Sequence, residues 1–202
     1  MHTGGTVAST KRARRRGRPK AIDATDTKRH IIETALRLFY RHGVGLVSVD
    51  TIIAEAHVSK AGLYYHFSNK EQLVAEVLRL QSRLVLETLQ ERLSANPSSG
   101  LQNLIDAVAH YMSNPERRGD LFVNTIAEGF PSQICRNICL EHQRHLISCI
   151  REFAMPSLSQ AAASQVLLVV YGIIVRDQID ANADAGEHGR TLLHKLAQHP
   201  DA

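Results

Sequence analysis

The chain is 202 residues long, 44% hydrophobic and 22% charged, and its formal net charge is +4. The longest apolar run, Val166 to Val175, is too short to span a bilayer, and the polar, basic first residues lack the apolar core of a secretion signal. Three cysteines, an odd number, suit a reducing compartment better than a disulfide framework. From these features we expect neither a secreted protein nor a membrane protein. They predict a cytoplasmic protein with enough length for one small and one medium domain.

Residues 1–24 form a basic arm in which we expect disorder. Seven positive charges lie in residues 11–20, so the rest of the chain carries a net charge of about −3. Residues 16–19 match the core of an AT-hook, whose extended arginines fit the narrow minor groove of A·T-rich DNA. The alternative is a solvated tail that improves solubility. We favour DNA contact by Arg16 and Arg18, because the segment that follows also predicts DNA binding.

The segment from Thr27 to Leu73 predicts three helices in the arrangement of a helix-turn-helix. Apolar residues recur at helical spacing along the first helix: Ile32, Ala35, Leu36 and Phe39. Gly43 predicts its end, since glycine takes the left-handed position after a helix without strain. Ser48 can cap a second helix, whose apolar residues again share one face. A tight turn follows, and this geometry suits a DNA groove.

A short third helix is predicted over residues 60–66, with Ser59 as its cap and Val58 buried in the turn before it. Leu63 and Phe67 face its core. The residues left largely outward are Lys60, Ala61, Gly62, Tyr64 and Tyr65. This combination of small residues and tyrosines is unusual for a helix that faces solvent.

The outward tyrosines have two interpretations. The first is a hydrophobic patch that another part of the chain covers. The second is a recognition helix, in which Ala61 and Gly62 allow the backbone to approach the bases. Tyr64 and Tyr65 would then contact phosphates and thymine methyl groups. Gly62 favours the second interpretation, because glycine inside a helix costs roughly 1 kcal/mol relative to alanine, and close approach to a partner is a common reason for it.

The start of the fourth helix, near Asn69, supplies one more candidate DNA contact. Ser68 and Glu71 have the spacing of a capping box. Lys70 lies in the first turn, where a phosphate would also meet the positive end of the helix. We therefore predict that Lys70 binds a DNA phosphate.

The segment from Thr27 to Leu73 resembles the DNA-binding domain of the TetR family of bacterial transcriptional regulators. The residues that carry the resemblance are Ile31-Ile32-Glu33-Thr34-Ala35, Leu38-Phe39, Gly43, Ser48-Val49, Ile52-Ile53-Ala54, Val58-Ser59-Lys60, Leu63-Tyr64-Tyr65-His66-Phe67 and Lys70-Glu71. The DNA contacts that the resemblance implies are Ser48, Lys60, Ala61, Gly62, Tyr64, Tyr65, His66 and Lys70. Two residues depart from the family pattern. His57 replaces the usual turn glycine, although histidine is among the better non-glycine residues at positive φ, and Gly62 replaces a frequent hydroxyl residue that could contact a base or phosphate.

After Lys70 the apolar spacing stays helical to the end of the chain, so we predict an all-α fold of about nine helices. The further predicted helices cover residues 69–95, 101–113, 121–128, 131 or 132 to about 154, 159–182 and 187–198. The predicted division is a DNA-binding domain at residues 25–72 and a helical regulatory and dimerisation domain at residues 73–202. The resemblance implies the same organisation, without close similarity in the second domain.

The predicted eighth helix is apolar on all sides between Val166 and Val175, so it must be covered all round. One side can face the domain core, and a partner subunit can supply the other; the alternative is a central helix in a monomer. We favour a homodimer, since the resemblance implies that the last two helices of each subunit form a four-helix interface. The candidate interface residues are Val169, Gly172, Ile173 and Leu193.

Cys135, Cys139, His142 and Cys149 share one face of the predicted seventh helix. This pattern has three interpretations: core packing, a redox-sensitive thiol, or a zinc or copper site. Apolar residues occupy the same face, and cysteine is among the residues most often buried, which favours core packing. Cys149 also lies two turns beyond His142, too far to share one metal with the others. We therefore predict no metal and no cofactor.

The sequence contains no phosphate-binding loop, hydrolase elbow, zinc-protease motif or paired-carboxylate pattern, so we predict that the protein is not an enzyme. The resemblance implies a repressor that binds a palindromic operator in double-stranded DNA until a small-molecule effector binds the second domain. The candidate effector contacts are Tyr111, Phe122, Asn124 and Ile126. The alternatives are a nucleoid-binding protein without sequence preference and a ligand-independent activator.

Overall fold

Helices form the regular structure of the residues that the computed structural model describes, which are 24–95, 99–113, 119–130, 132–154, 156, 159–179 and 185–198. They are α1 (Ala24–His42), α2 (Val49–Glu55), α3 (Lys60–His66), α4 (Lys70–Ser94), α5 (Gly100–Met112), α6 (Leu121–Ala127), α7 (Gln133–Cys149), α8 (Gln160–Ile179) and α9 (Ala185–Gln198). A π-helical turn at Ile150–Ala154 continues α7. Within these ranges the prediction of an all-α fold is confirmed, and helix ends differ from the predicted ones by a few residues. The basic arm, with Arg16 and Arg18, lies outside the described residues.

Local hydrogen bonds explain where the first three helices begin and end. The hydroxyl of Ser48 accepts from the backbone N–H of Thr51 at 3.0 Å and opens α2. Ser59 opens α3 in the same way, accepting from the N–H of Gly62 at 3.0 Å. Gly43 ends α1 with a φ of 84°, and His57 adopts a φ of 53° in the turn between α2 and α3. The predicted caps and the predicted positive φ at His57 are therefore confirmed.

The predicted capping box at the start of α4 is wrong by one residue. Asn69, not Ser68, is the cap, and its side-chain oxygen accepts from the N–H of Gln72 at 2.8 Å. The side chain of Gln72 reaches back and accepts from the N–H of Ser68 at 2.7 Å. Asparagine and serine are equally good helix caps, so the sequence offers both Ser68 and Asn69 as the cap of α4. The carboxylate of Glu71, free of the cap, accepts from the hydroxyl of Ser132.

Two hydrophobic cores lie at opposite ends of the long helix α4. The first joins α1, α2, α3 and the first half of α4, and it also includes Phe122 from α6 and Cys135 and Cys139 from α7. The second joins the other half of α4 to α5, α8 and α9. The first core therefore crosses the predicted domain boundary at residues 72 and 73, and α4 runs through it without interruption. None of the described helices is long and apolar enough to cross a membrane.

Candidate nucleic-acid interface

The exposed surface of α3 carries most of the predicted DNA contacts. Leu63 is only 1% exposed and anchors the helix to the first core. On the other side, the exposed fractions of Tyr64 and Tyr65 are 44% and 78%. The described residues leave most of Tyr65 and nearly half of Tyr64 uncovered, and the rings of Tyr65 and His66 meet edge to face with 4.9 Å between centroids. The structure thus leaves two amphipathic aromatic rings exposed on one short helix, next to the exposed Lys60 and Ala61.

Gly62 has a local structural reason to be glycine. A Cβ atom built at this position would lie 3.1 Å from the Ser59 hydroxyl that caps the helix. A side chain there would therefore press on the cap as well as on any approaching DNA backbone. Close approach to a partner is one explanation of this glycine, and room for the cap is a second.

Two polar candidates at the edges of the helix-turn-helix already have partners. The ammonium of Lys60 lies 3.7 Å from the carboxylate of Asp50, but both side chains are well exposed, at 69% and 80%. Such a pair contributes little and exchanges easily for a phosphate. The hydroxyl of Ser48 is bound to both the N–H and the hydroxyl of Thr51, so it remains exposed but is held in place by the cap of α2.

Lys70 points toward the loop between α1 and α2. Its ammonium donates to the carbonyl of Val44 at 2.6 Å and to that of Gly45 at 3.3 Å, and it lies 5.6 Å from the ring centre of Phe130. Burial lowers the pKa of Lys70, and the nearby Glu128 carboxylate partly opposes this effect. Lys70 therefore fixes the loop. A phosphate contact would use an N–H of the ammonium that does not bind the two carbonyls.

One contact of the helix-turn-helix was missed by the sequence analysis. Glu128, just after α6, accepts a hydrogen bond from the N–H of Gly45 at 2.7 Å, across 83 residues of sequence. A Cβ atom at Gly43 would lie 2.5 Å from a carboxylate oxygen of Glu128. The only available signal was the pair of glycines that flank Val44, which indicates close approach of some other group.

Three of the four candidate effector contacts line cavities in the second domain. A cavity of about 110 Å³ lies between α4, α5, α7 and α8, and Tyr111 lines it. A second cavity of about 340 Å³ beside α6 and α7 is lined by Phe122 and Ile126. Asn124 lines neither of these two cavities. The side chain of Tyr171 borders both, and the ring of Phe122 stacks on His142, so these residues form part of the wall between them.

The cysteines of α7 are directed to separate backbone partners. The thiol of Cys135 points to the carbonyl of Glu71 and that of Cys139 to the carbonyl of Phe122, at 3.9 Å and 3.8 Å. Burial raises the pKa of all three thiols, and that of Cys139 reaches about 12. Among the described residues, no group of three His, Cys, Asp or Glu side chains is arranged to hold a metal ion. These contacts are those of core residues.

The outward side of α8 is an exposed apolar stripe. Leu168, Val175 and Ile179 are 70%, 40% and 77% exposed and lie on one face with Gly172, where an added Cβ would meet no atom within 4 Å. Leu192 of α9 is 50% exposed. Of the predicted interface residues, Gly172 lies on this stripe and Val169 is half-buried, whereas Ile173 and Leu193 face the second core of their own subunit. The stripe, rather than Ile173 and Leu193, is the surface available to a partner.

Comparison with known proteins places this architecture in a family. The family model described as bacterial regulatory proteins, tetR family, matches residues 31–77. Over 151 residues the chain is 30% identical to the HTH-type transcriptional regulator AcrR of Shigella flexneri, an alignment that covers 67% of this chain and 69% of that protein. The chain belongs to the TetR family. It is therefore a DNA-binding transcriptional regulator and not an enzyme, as the sequence analysis predicted.

Other TetR-family relatives match over shorter stretches or by fold. The chain is 40% identical over 73 residues to the probable acrEF/envCD operon repressor of Escherichia coli (strain K12). This alignment covers 36% of this chain and 33% of that protein. The crystal structure of SCO4454, a TetR-family transcriptional regulator from Streptomyces coelicolor, superposes with a TM-score of 0.78 at 22% identity, covering 88% of this chain and 97% of that one. The reduced form of E. coli NemR gives a TM-score of 0.76 at 18% identity, covering 88% and 100%. At these identities the two structures show a shared fold.

Proposed function

We propose that this TetR-family protein is a repressor that binds a palindromic operator as a homodimer and leaves it when a small molecule occupies the second domain. The observation that carries the proposal is the exposed surface of α3. Among the described residues most of Tyr65 and nearly half of Tyr64 remain exposed, although the helix beneath them is anchored by the fully buried Leu63. A helix held this firmly, with small residues beside exposed tyrosines, has the form of a recognition helix that enters a major groove.

Dimer formation is supported by the apolar stripe of α8. Leu168 and Ile179 would each keep more than two thirds of their surface in water if the chain acted alone, at 70% and 77% exposed. A second copy packed on the same stripe removes both patches at once through a two-fold symmetric contact. A two-fold dimer places two α3 helices to contact two half-sites, and this is why we propose a palindromic operator.

Effector release is supported by the two cavities and by the link between α6 and the helix-turn-helix. The larger cavity is lined by Ile126 and Ala127 at the end of α6, directly before the Glu128 side chain that holds Gly45. A molecule that binds better when α6 is displaced would favour a state in which this contact is broken and the two DNA-binding heads are differently placed. We place the regulator in the bacterial cytoplasm, on the nucleoid.

The test is selection of a binding site from random duplex DNA, followed by footprinting on the selected sequence. We expect a discrete palindrome protected by the dimer. Tyr64→Ala and Tyr65→Ala should each weaken specific binding by about 1–3 kcal/mol with unchanged circular dichroism. Leu84→Ala is the matched control, because the exposed fraction of Leu84 is 43%, similar to the 44% of Tyr64, and Leu84 lies on a different helix, α4.

Each alternative function predicts a different result in the same experiment. A nucleoid-binding protein without sequence preference would protect no discrete site, and the tyrosine variants would bind as the wild type does. An activator would protect a discrete site but raise expression of a reporter gene placed beside it. Repression that is lifted by an added compound would separate the proposed mechanism from both.

A further inference from the structure

The smaller cavity of the second domain has a mostly aliphatic wall. Its lining side chains come from α4, α5, α7, α8 and the ends of neighbouring elements, and most are aliphatic. No lysine or arginine occurs among these lining residues within the described part of the chain. A carboxylate or phosphate entering the cavity would lose its hydration without gaining a cationic partner, so the lining selects against anions.

Among the polar side chains that interrupt this aliphatic wall, His142 is the most specifically oriented. His142 is 1% exposed, and its ring stacks on Phe122 with centroids 3.8 Å apart and planes 14° from parallel. Its Nδ1 atom is fixed by a hydrogen bond of 2.9 Å to the hydroxyl of Ser82 on α4. Its Nε2 atom has no hydrogen-bond partner among the described residues, and the side chain lines the cavity. A ring nitrogen that is held in one orientation and has no partner in the wall gains a hydrogen bond when a polar ligand group meets it.

Asp120, a charged residue of the wall, is already engaged. One carboxylate oxygen of Asp120 accepts from the N–H groups of Phe122 and Val123, both at 2.9 Å, where it caps α6. The other accepts from the Tyr111 hydroxyl at 3.4 Å. Asp120 therefore serves the fold. The polar groups left for a ligand are His142 and the hydroxyl of Tyr171, which lines the same cavity and is buried without a hydrogen-bond partner among the described residues.

The size of the cavity sets the size of the ligand. At about 110 Å³ it is somewhat smaller than an apolar cavity of about 150 Å³ known to bind benzene. A single aromatic ring fits with a small outward movement of the aliphatic side chains, whereas a fused polycyclic molecule does not. A planar aromatic ring also matches the ring of His142, which lines this cavity and is held in place by stacking on Phe122 behind it.

We infer that this cavity binds a small, uncharged, monocyclic phenol, whose ring packs among the aliphatic side chains and whose hydroxyl forms a hydrogen bond with Nε2 of His142. The inference rests on the proposed function for its biological meaning, since the phenol would be the effector. The binding preferences themselves do not depend on DNA. The cavity should bind an uncharged aromatic ring more tightly than a charged one, and it should bind a ring with a hydroxyl more tightly than one without because the hydroxyl can bond to Nε2 of His142.

The experiment titrates phenol, benzene, benzoate and benzylamine into the full chain without DNA and measures each dissociation constant by ligand-observed NMR. We expect phenol to bind about tenfold more tightly than benzene, the value of one neutral hydrogen bond of about 1.4 kcal/mol, and both to bind more tightly than benzoate. His142→Leu should bind benzene as well as the wild type does and lose the preference for phenol. His145→Leu is the matched control, an exposed histidine of the same helix that should change nothing.

A second measurement needs no variant. The ring nitrogen signals of His142 in the wild-type chain should shift on addition of phenol and stay unshifted with benzene. Equal affinity for phenol and benzene, a preference for phenol that survives His142→Leu, or tighter binding of benzoate or benzylamine would each overturn the inference. Phenol binding without release of operator DNA would leave the pocket chemistry intact and remove only its role as effector. Release of the operator by other compounds, with no phenol binding, would overturn the inference and leave the proposed function standing.

Discussion

Glu128 and Gly45 join the end of α6 to the loop between α1 and α2 through one hydrogen bond of 2.7 Å from a backbone N–H to a carboxylate. The ammonium of Lys70 donates to the carbonyls of Val44 and Gly45 in the same loop. The loop before α2 is therefore bound by an anion and by a cation from two other elements. Gly43 makes this approach possible, because a Cβ atom there would overlap the Glu128 carboxylate.

The first prediction concerns this link. Glu128→Ala should lower operator affinity and speed amide hydrogen exchange at Gly45, since the N–H loses its acceptor. The contact is exposed to solvent, so we expect a loss of stability of only about 1 kcal/mol. Glu128→Gln should keep the hydrogen bond but lose the attraction to Lys70, and its effect should be smaller. Glu141→Ala, at an exposed glutamate of α7, is the control. Unchanged exchange at Gly45 in Glu128→Ala would contradict the assignment.

The second prediction concerns the apolar stripe of α8. Leu168→Glu should dissociate the dimer, because a carboxylate buried at the interface without a partner costs roughly 3 kcal/mol in each subunit. Gly172→Leu should weaken the dimer without harming the subunit, since an added Cβ meets no atom within 4 Å of its own chain. Light scattering and sedimentation measure both effects, and operator affinity should fall in parallel because two half-sites must be bound together.

Leu84→Glu is the matched control for the stripe, since Leu84 is a comparably exposed leucine on α4. It should leave the oligomeric state unchanged. A wild-type chain that is monomeric at micromolar concentration would contradict the dimer proposal. A dimer that survives Leu168→Glu would instead show that the subunits meet on a different surface.

Contacts between residues close in sequence were predictable, and contacts across long separations were not. Ser48 and Ser59 cap their helices through bonds to residues three positions away, so side-chain chemistry and spacing were enough to predict them. The bond between Glu128 and Gly45 spans 83 residues, and no periodic pattern indicates such a pair. The face of Ile173 was unpredictable for a different reason: α8 is apolar all round, so its spacing does not show which side meets the core.

The third prediction is a pH dependence due to His142. Burial, and to a smaller extent the neighbouring His145, lowers the pKa of His142 from 6.5 to about 4. Above pH 6.5 the ring is neutral in both folded and unfolded chains and has no effect on stability. Below that pH the unfolded chain binds a proton that the folded chain does not, so stability is lost as the pH falls from about 6.5 to about 4, by about 2 kcal/mol at pH 5. Urea denaturation at a series of pH values measures it.

His142→Gln isolates this contribution from that of the other histidines. The difference in unfolding free energy between wild type and His142→Gln should be largest at pH 7 and shrink toward pH 4.5. His145→Gln, an exposed position on the same helix, should retain most of the wild-type pH dependence. Parallel curves for the wild type and His142→Gln would show that the buried ring takes up a proton as readily as an exposed one.

The fourth prediction is that the cysteines of α7 serve the core. Because burial raises the pKa of Cys135, Cys139 and Cys149, their thiols should stay protonated at neutral pH and react slowly with a thiol reagent until the chain is unfolded. Cys135→Ala combined with Cys139→Ala should lower stability modestly, and a metal chelator should leave DNA binding unchanged. A stoichiometric metal in the purified protein, or release of DNA on mild oxidation that a thiol reverses, would favour a sensor instead.

The last prediction concerns the basic arm. The stretch from Lys11 to Thr25 can extend about 50 Å, enough to follow the minor groove beside either half-site. Each phosphate neutralised by a basic side chain adds about −0.9 to the slope of log K against log salt. Deletion of residues 1–22 should therefore reduce affinity and salt dependence together, while the central footprint keeps its position.

Replacing Arg16 and Arg18 by lysine keeps the charge but loses the flat guanidinium groups that fit a narrow groove. We expect this variant to lose its preference for A·T-flanked operators over G·C-flanked ones; a wild-type chain that binds both equally would mean that the arm acts through charge alone.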